Sequence, residues 1–248
     1  MNSFNRALNI AGWLTFSIAF GVFIFSVERT GSLWDCGEFI LGAYKLQVVH
    51  PPGAPLFLII GRMFAMMGDA LSSDPSNIAF AVNLMSGMVT AFAGMFVCWS
   101  TMYLGKLSLV GRDESTNSNQ NIALLLSGLA AGLSATFCVS VWFSAMEGEV
   151  YAMSTFFTAL TMWALLKWYY LPDTGKSDKW IVFSMFMAGL SIGVHLLSIL
   201  TFPALAVFYY IKKYKNFKWL GFFTAIGAGL FVLFIVQKVI IVGLPDLL

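Results

Sequence analysis

Charged residues are scarce in this chain. Only 10% of its 248 residues are Asp, Glu, Lys or Arg, whereas a soluble domain carries about 25%. The net charge of +2 is too small to indicate nucleic-acid binding, so we expect no nucleic acid among the partners. The three cysteines are scattered, which predicts neither a disulfide framework nor a zinc site. Walker, HExxH and Ser-His-Asp patterns are missing from the sequence.

Long apolar runs are what the sequence has instead. Hydrophobic residues make up 59% of the chain, in runs close to the ~20 residues that a helix needs to cross a bilayer. The pattern predicts an all-α polytopic membrane protein with one transmembrane module over residues 1–248. The first run follows Arg6 and has no small-residue cleavage site after it, so it is interpreted as an uncleaved anchor. The seven predicted spans are about 8–27, 78–104, 121–145, 150–170, 180–196, 198–211 and 219–242.

An eighth run, 53–68, is short for a crossing and carries Arg62. We interpret it as a surface or re-entrant helix in a first outward loop, 28–77. Ten Lys and Arg then lie on the cytoplasmic side with the N-terminus, and four lie outside, as the positive-inside rule requires. If 53–68 spanned, the Lys212–Lys218 cluster would lie outside. The region 180–211 leaves a second alternative open, since one long tilted helix would also fit it.

Two carboxylates follow the first apolar run. If Asp35 opens a short helix, Glu38 lies on the same face one turn later, and Lys45 returns to that face two turns beyond Glu38. His50 is expected at the end of this helix, since the following Pro51 disfavours helical backbone before it. Carboxylates at membrane depth are costly and usually functional, and one of these can act as a general base. The alternative is a solvated pair at the lipid boundary.

Further candidates lie at the same predicted face. Of Glu147 and Glu149, at most one should reach a cavity there, and Glu149 is favoured; the alternative is a polar cap of helix ends. His195 is either a site residue or a core histidine. Arg62 either binds phosphate or extends its side chain to the lipid head groups. A metal site can be assembled from Asp35, Glu38, Glu149 and His50, but no ligand spacing supports it, so no metal is assigned.

Five segments together resemble a known family over about residues 14–203. They are Trp34-Asp35-Cys36-Gly37-Glu38-Phe39, Tyr44-Lys45-Leu46-Gln47, His50-Pro51-Pro52-Gly53-Ala54-Pro55, Glu147-Gly148-Glu149-Val150-Tyr151 and Gly193-Val194-His195-Leu196-Leu197. The family consists of multispanning bacterial proteins once labelled only as a domain of unknown function. It has an animal relative that is a transmembrane protein O-mannosyltransferase, and it belongs to the GT-C glycosyltransferases.

The resemblance implies a seven-span GT-C-like module and an inverting transfer of a sugar, with mannose a candidate. The donor would be a polyprenyl-phosphate sugar and the acceptor a Ser or Thr hydroxyl of an extracytoplasmic protein. Asp35 would be the base, and Glu38 would orient the acceptor or hold His50. Related mannosyltransferases carry adjacent Asp-Glu, whereas Cys36 and Gly37 separate the two acids here. The residues expected to bind substrate are Lys45, His50, Arg62, Glu147, Glu149, Tyr151 and His195.

The resemblance also bears on location and partners. We expect a multi-pass protein of the cytoplasmic membrane with its active face periplasmic and its N-terminus cytoplasmic. Family members are longer, so the chain is expected to be the N-terminal part of a longer protein or to assemble with other membrane subunits. Besides the bilayer, the expected partners are the lipid-linked sugar and the acceptor protein. A transporter, or a non-catalytic scaffold that uses the outer acids for ion or partner binding, remains the alternative.

Overall fold

A computed structural model describes residues 3–32, 34–51, 53–71, 74–173, 175–214 and 216–243. Helix makes up 82% of the structure, and the described residues contain no strand. Pro52 of the Pro-Pro-Gly corner and Lys215 of the predicted cytoplasmic cluster lie outside these ranges. The helices are α1 (Ser3–Ser26), α2 (Cys36–Lys45), α3 (Pro55–Leu71), α4 (Ser76–Leu109), α5 (Ser118–Phe137), α6 (Val139–Met146), α7 (Val150–Tyr170), α8 (Asp178–Leu190), α9 (Phe202–Lys213) and α10 (Trp219–Phe234).

Helix α4 is the centre of the bundle. It packs against α1, α3, α5 and α7, and 72% of its most apolar stretch is buried. Small residues allow the close approach of α4 and α5. A Cβ on Gly94 would lie 2.1 Å from the Thr136 hydroxyl, and one on Gly132 would lie 2.8 Å from the Gly94 carbonyl oxygen. The small-residue face of α4 is therefore a packing surface, as small residues in membrane helices commonly are.

Among the described residues, five helical segments are long and apolar enough to cross a membrane. Helices α6 and α7 meet at a bend of 119°, and they would add a sixth candidate span if the pair is one broken span. Helix α8 has 13 residues, which at ~1.5 Å per residue gives only about 20 Å of length. The chain is thus a multi-pass membrane protein with five or six clear candidate spans. The five are Ser3–Ser26, Ser76–Leu109, Ser118–Phe137, Leu196–Lys213 and Trp219–Val239.

The predicted span 121–145 is divided in the structure. Helix α5 ends at Phe137, Cys138 is extended, and α6 begins at Val139. After this break the Trp142 ring packs 5.7 Å from the Phe23 ring and 6.0 Å from the Phe137 ring, which holds α6 against α1 and the end of α5. Hydropathy detects that these residues are apolar, but it carries no information on chain direction.

The region 180–211 is also interrupted. After α8 come two short 3-10 segments, Ser191–Gly193 and Leu196–Thr201. Between them His195 has extended backbone, with φ −160° and ψ 145°. One long tilted helix is therefore not what the chain forms. Irregular backbone inside a membrane protein is tolerated where it is buried or lines a cavity, and a cavity beside this break is described below.

Helix α3 has two apolar faces. Phe57, Gly61 and Ala65 are buried in the contact with the rest of the protein. A second face is exposed although it is equally apolar, and it consists of Ile59, Met63, Met66 and Met67. The second face matches the behaviour of a helix that lies against lipid.

Candidate active site

The loop that carries Asp35 is attached to the bundle by a buried asparagine. The Asn83 side chain on α4 is fully buried and donates to the carbonyl oxygens of Glu28 at 2.9 Å and Thr30 at 3.1 Å. Its own side-chain oxygen accepts a hydrogen bond from the Cys36 thiol at 3.7 Å. Three groups of the loop thus depend on one amide. The sequence analysis missed Asn83, although a polar residue in a buried apolar helix normally marks a required hydrogen bond.

Helix α2 begins at this loop and sets the spacing of the acids. Asp35 is the residue before the helix and its carbonyl accepts from the Phe39 amide at 3.0 Å. Glu38 follows in the first turn. The helix ends at Lys45 because Leu46 adopts left-handed backbone, with φ 50°. The proline pattern predicted that His50 lies at the end of this helix. In the structure His50 instead lies in the turn that follows the helix.

That turn brings His50 back to the acids. The Glu38 carboxylate accepts from the His50 backbone amide at 2.7 Å and contacts its Nδ1 atom at 2.8 Å. The Nε2 atom lies 4.0 Å from the Asp35 carboxylate. All three side chains are exposed. Asp35, Glu38 and His50 form the acid–imidazole cluster, in which one imidazole faces two carboxylates.

The pKa values of Glu38 and His50 are shifted in opposite directions. The hydrogen bond from His50 lowers the pKa of the Glu38 carboxyl below its ordinary value. The same bond raises the pKa of His50, with smaller contributions from the charges of Glu38 and Asp35. The histidine is therefore a cation over a wider pH range than a free imidazole.

Glu149 approaches the cluster from the other side. The Asp35 backbone amide lies near its carboxylate and lowers its pKa, although this is the smallest of the effects on that group. Burial raises the pKa of Glu149, and the nearby charges of Glu147 and Asp35 raise it further. Gly148 makes this approach possible, because a Cβ there would lie 2.9 Å from the Val82 side chain and 3.0 Å from the Asn83 oxygen. Glu147 lies near the Cys36 thiol, whose pKa is raised mainly by burial and slightly by that charge.

Lys45 and Arg62 form a separate group around Tyr44. The Arg62 guanidinium donates to the Tyr44 carbonyl oxygen and lies 5.3 Å from the centre of its ring. The Lys45 ammonium lies 4.8 Å from the same ring, and the Tyr44 hydroxyl donates to Asp69 at 3.4 Å. Lys45 is two helical turns beyond Glu38, or ~10 Å along the axis. The two cations thus share Tyr44 as a contact, and among the described residues only His50 forms ion pairs with Asp35 and Glu38.

Tyr151 and His195 form a third group. Their rings lie 5.2 Å apart, and the His195 Nδ1 atom accepts from the Leu197 amide at 3.2 Å. Tyr151 also lines a cavity of about 450 Å³ between α7 and the interrupted 196–204 segment. The cavity is mainly apolar, and the side chains of Ser154, Thr155, Thr158 and Thr201 contribute hydroxyl groups to its lining. Tyr151 thus connects the Glu149 segment to a mainly apolar cleft, and His195 lies beside it.

The acid–imidazole cluster is also the set of described residues that could hold a metal ion. One ligand atom from each residue lies within 4.8 Å of the others. Two carboxylates and an imidazole suit a divalent transition metal. Such an ion would compete with the Glu38–His50 hydrogen bond, which already pairs these two groups.

The fold and the site define a class: a multi-pass membrane protein with an acid–imidazole cluster on a loop at one end of the bundle. The family model for the protein O-mannosyl-transferase TMEM260 N-terminal domain matches residues 35–218, well over half of the chain. The chain therefore belongs to this family. The match begins at Asp35, the first acid of the cluster.

Two curated relatives agree with the family match. The chain is 30% identical over 135 residues to the protein O-mannosyl-transferase tmem260 of Dictyostelium discoideum, covering 54% of this chain and 14% of the relative. It is 25% identical over 178 residues to TMEM260 of Mus musculus, covering 71% of this chain and 22% of the relative. The chain thus spans less than a quarter of each relative. No solved structure matches significantly.

Proposed function

We propose that this chain is a GT-C-type glycosyltransferase module that mannosylates Ser or Thr hydroxyls of extracytoplasmic proteins. The donor is a polyprenyl-phosphate mannose. The names of the two relatives support the sugar and the protein acceptor. The observation that carries the proposal is the acid–imidazole cluster, where an exposed carboxylate lies beside an imidazole with a raised pKa.

In the proposed reaction, Asp35 takes the proton of the acceptor hydroxyl as a general base. The hydroxyl oxygen forms a bond to the anomeric carbon while the bond from that carbon to the phosphate oxygen breaks, with inversion. The phosphate leaves with the electron pair, and a nearby cation stabilises the developing charge. His50 fits this role better than Lys45 or Arg62, because it contacts both carboxylates of the cluster whereas those two cations contact Tyr44. Glu38 keeps His50 protonated and oriented.

The remaining candidates fit around this centre. Glu149 lies near the Asp35 backbone and would help to orient the base. Tyr151 lines the cavity beside α7, and its ring contacts that of His195; the donor head group would bind there. Glu147 lies near the Cys36 thiol and would support the loop.

The proposed topology has seven spans and places the site outside the cytoplasmic membrane. The spans are α1, α4, α5, α7, α8, the 196–213 segment and α10, with α2, α3 and α6 at the outer surface. The exposed apolar face of α3 supports its surface position. The lysines around 212–218 then lie inside with the N-terminus, as the positive-inside rule prefers.

A transporter would be expected to place ionisable groups in the middle of its spans. Within the five candidate spans, each Lys or Arg lies within about a turn of a helix end, and no Asp or Glu occurs. These cations are Arg6, Lys106, Lys212, Lys213 and Lys238. The distribution favours the enzyme over the transporter.

The test is transfer of labelled mannose from a polyprenyl-phosphate donor to a Ser/Thr acceptor in membranes that contain the full-length protein. Asp35→Asn should lower the rate by at least roughly a hundredfold, as loss of a general base does. Asp113→Asn, in the exposed loop between α4 and α5, is the matched control and should retain the wild-type rate. Wild-type transfer by Asp35→Asn would remove Asp35 from the mechanism, and no transfer by the wild type would refute the proposed function.

A further inference from the structure

Trp34 is the residue directly before the proposed base, and its side chain is 90% exposed. The residues that follow Asp35 behave differently, since Cys36 and Phe39 are buried in the bundle. The Trp34 indole therefore lies outside the packed protein, and the neighbouring Asp35 and Glu38 are exposed as well. Neither the mechanism nor the packing described above uses it.

The backbone of Trp34 is strained. Its φ is 62°, in the left-handed region where a Cβ crowds the following carbonyl. Of the described residues other than glycine, Trp34 shares a positive φ only with Leu46. Such a conformation persists where the surroundings determine it, and it is enriched at functional sites.

Hydrogen bonds flank Trp34 on both sides along the chain. On the N-terminal side, Asn83 holds the carbonyl groups of Glu28 and Thr30. On the C-terminal side, the Asp35 carbonyl accepts from the Phe39 amide. The indole thus projects from a segment whose two flanks are hydrogen-bonded, directly before the proposed base.

We propose that the Trp34 indole stacks on the C–H face of the transferred mannopyranose ring; this rests on the proposed function. Adjacent Cα atoms are 3.8 Å apart, so the long indole reaches the sugar that must approach the hydroxyl held by Asp35. A pyranose offers an apolar face of C–H bonds to an aromatic ring and hydroxyl groups to carboxylates. The loop presents both partners side by side.

An exposed tryptophan in a membrane protein also has a simpler role, since Trp is enriched at the interface of the bilayer. An interfacial anchor depends on hydrophobic and amphipathic character, and it requires no particular backbone conformation. Leu46 is the natural comparison, because it is exposed, apolar and left-handed as well. The two residues therefore serve as a matched pair of variants.

The experiment measures the kinetics of the full-length protein in nanodiscs with synthetic mannosyl-phosphate polyprenol and a Ser/Thr peptide. Trp34→Leu should lower kcat/KM for the donor roughly tenfold, while Trp34→Phe should stay within about threefold of the wild type because it keeps an aromatic face. Leu46→Gly should leave kcat/KM unchanged. Wild-type kinetics of Trp34→Leu would overturn the inference and leave the interfacial role.

A second measurement does not depend on a variant being active. In 5-fluorotryptophan-labelled wild-type protein, the Trp34 resonance is identified by its loss in Trp34→Phe. It should shift when the mannosyl donor is added and stay in place when the same polyprenyl phosphate without sugar is added. Equal shifts would reject sugar stacking. If the wild type transfers no mannose at all, the proposed function fails and the inference with it, whereas normal transfer by Trp34→Leu rejects the inference alone.

Discussion

The two ends of the helical bundle use charge in different ways. The acidic end carries Asp35, Glu38, Glu147, Glu149 and His50. The basic end carries Lys106, Arg112, Lys212 and Lys213 among its cations. Both ends contain hydrogen-bonded charged side chains, and they differ in which groups those side chains contact.

At the basic end most of the cations bind backbone carbonyl groups at or just beyond the C-termini of helices, whereas Lys213 pairs with the Asp173 carboxylate at 2.8 Å. Lys106 contacts the Arg112 carbonyl at 3.3 Å and the Tyr170 hydroxyl. Arg112 donates to the carbonyl groups of Tyr170 and Leu171, and Lys212 donates to that of Leu171 at 3.1 Å. Lys106 is buried. Charge here holds helix ends together.

At the acidic end the roles are reversed, since an uncharged amide holds the structure and the charges remain exposed. Asn83 supplies the buried hydrogen bonds. Asp35, Glu38 and His50 are each more than 40% exposed and contact one another. The comparison indicates that charges bound to backbone groups serve stability, whereas charges held open by a separate support are available for chemistry.

The largest expected effect is that of removing the support at the acidic end. Asn83→Ala leaves two carbonyl groups and the Cys36 thiol without their partner, so the Asp35 loop should shift. A displacement of about 1 Å can lower a rate ~100-fold, and we expect a loss of this order in mannose transfer. Asn83→Asp keeps the acceptor and loses both donors, so it should be similarly impaired. Full activity of either variant would contradict the role assigned to the amide.

Lys106→Met at the basic end should show the opposite pattern. It removes the donor for the Arg112 carbonyl and the Tyr170 hydroxyl, which should lower the free energy of unfolding by about 1–3 kcal/mol. The rate of mannose transfer per folded molecule should not change, because no charge at the acidic end is affected. Thermal unfolding and transfer assays on the same preparation test this. A lower rate in fully folded Lys106→Met would show that the two ends are coupled.

Leu46→Gly tests the strain that flanks the acidic end. Glycine adopts left-handed backbone freely, so relief of the strain should raise the free energy of unfolding by about 1 kcal/mol. The exposed leucine side chain should contribute little of its own. Denaturant unfolding measures the difference, and a destabilised variant would show that the Leu46 side chain is needed.

The smallest effect is expected for Glu38→Gln, and the quantity measured is the pKa of His50. The raised pKa of His50 means that its pairing stabilises the fold at low pH and is lost as pH rises through that pKa. The lowered pKa of Glu38 means that its contribution is lost as pH falls through that value. In Glu38→Gln the pKa of His50 should return toward 6.5. The chain has two histidines, so NMR titration resolves them, with His195→Gln as the assignment control. An unchanged pKa would contradict the pairing.

Local patterns were informative where the interaction is local. Asp35 and Glu38 lie about one helical turn apart because they are three positions apart in sequence, and apolar runs predicted the membrane helices because hydropathy follows from composition. Because acids are scarce in the sequence, the few near the end of the first span were identified as candidate site residues. The comparisons confirm the family that the motifs indicated, while the roles of the single residues stay predictions.

Other features depend on contacts between distant parts of the chain. Asn83 reaches a loop more than 50 residues away in sequence, and nothing in its neighbours predicts the partner. Arg62 and Lys45 were predicted to bind substrate, which stays a prediction, and the contact of both with Tyr44 was not indicated by the sequence. The division of 121–145 at Cys138 accompanies a contact between Trp142 and the distant Phe23. Sequence periodicity indicates which residues share one face of a helix, but it does not indicate which residues of other segments they contact.

The sequence by itself determined that this is a helical membrane protein with a few costly acids near the end of its first span. The cause is the free energy of placing apolar and charged groups in lipid, which depends on residue type. The tertiary structure decided which of those acids meet His50, that Lys45 and Arg62 contact Tyr44, and that Trp34 is exposed. Those outcomes depend on side chains from separate helices competing for the same hydrogen-bond partners, and they exist only once the bundle has packed.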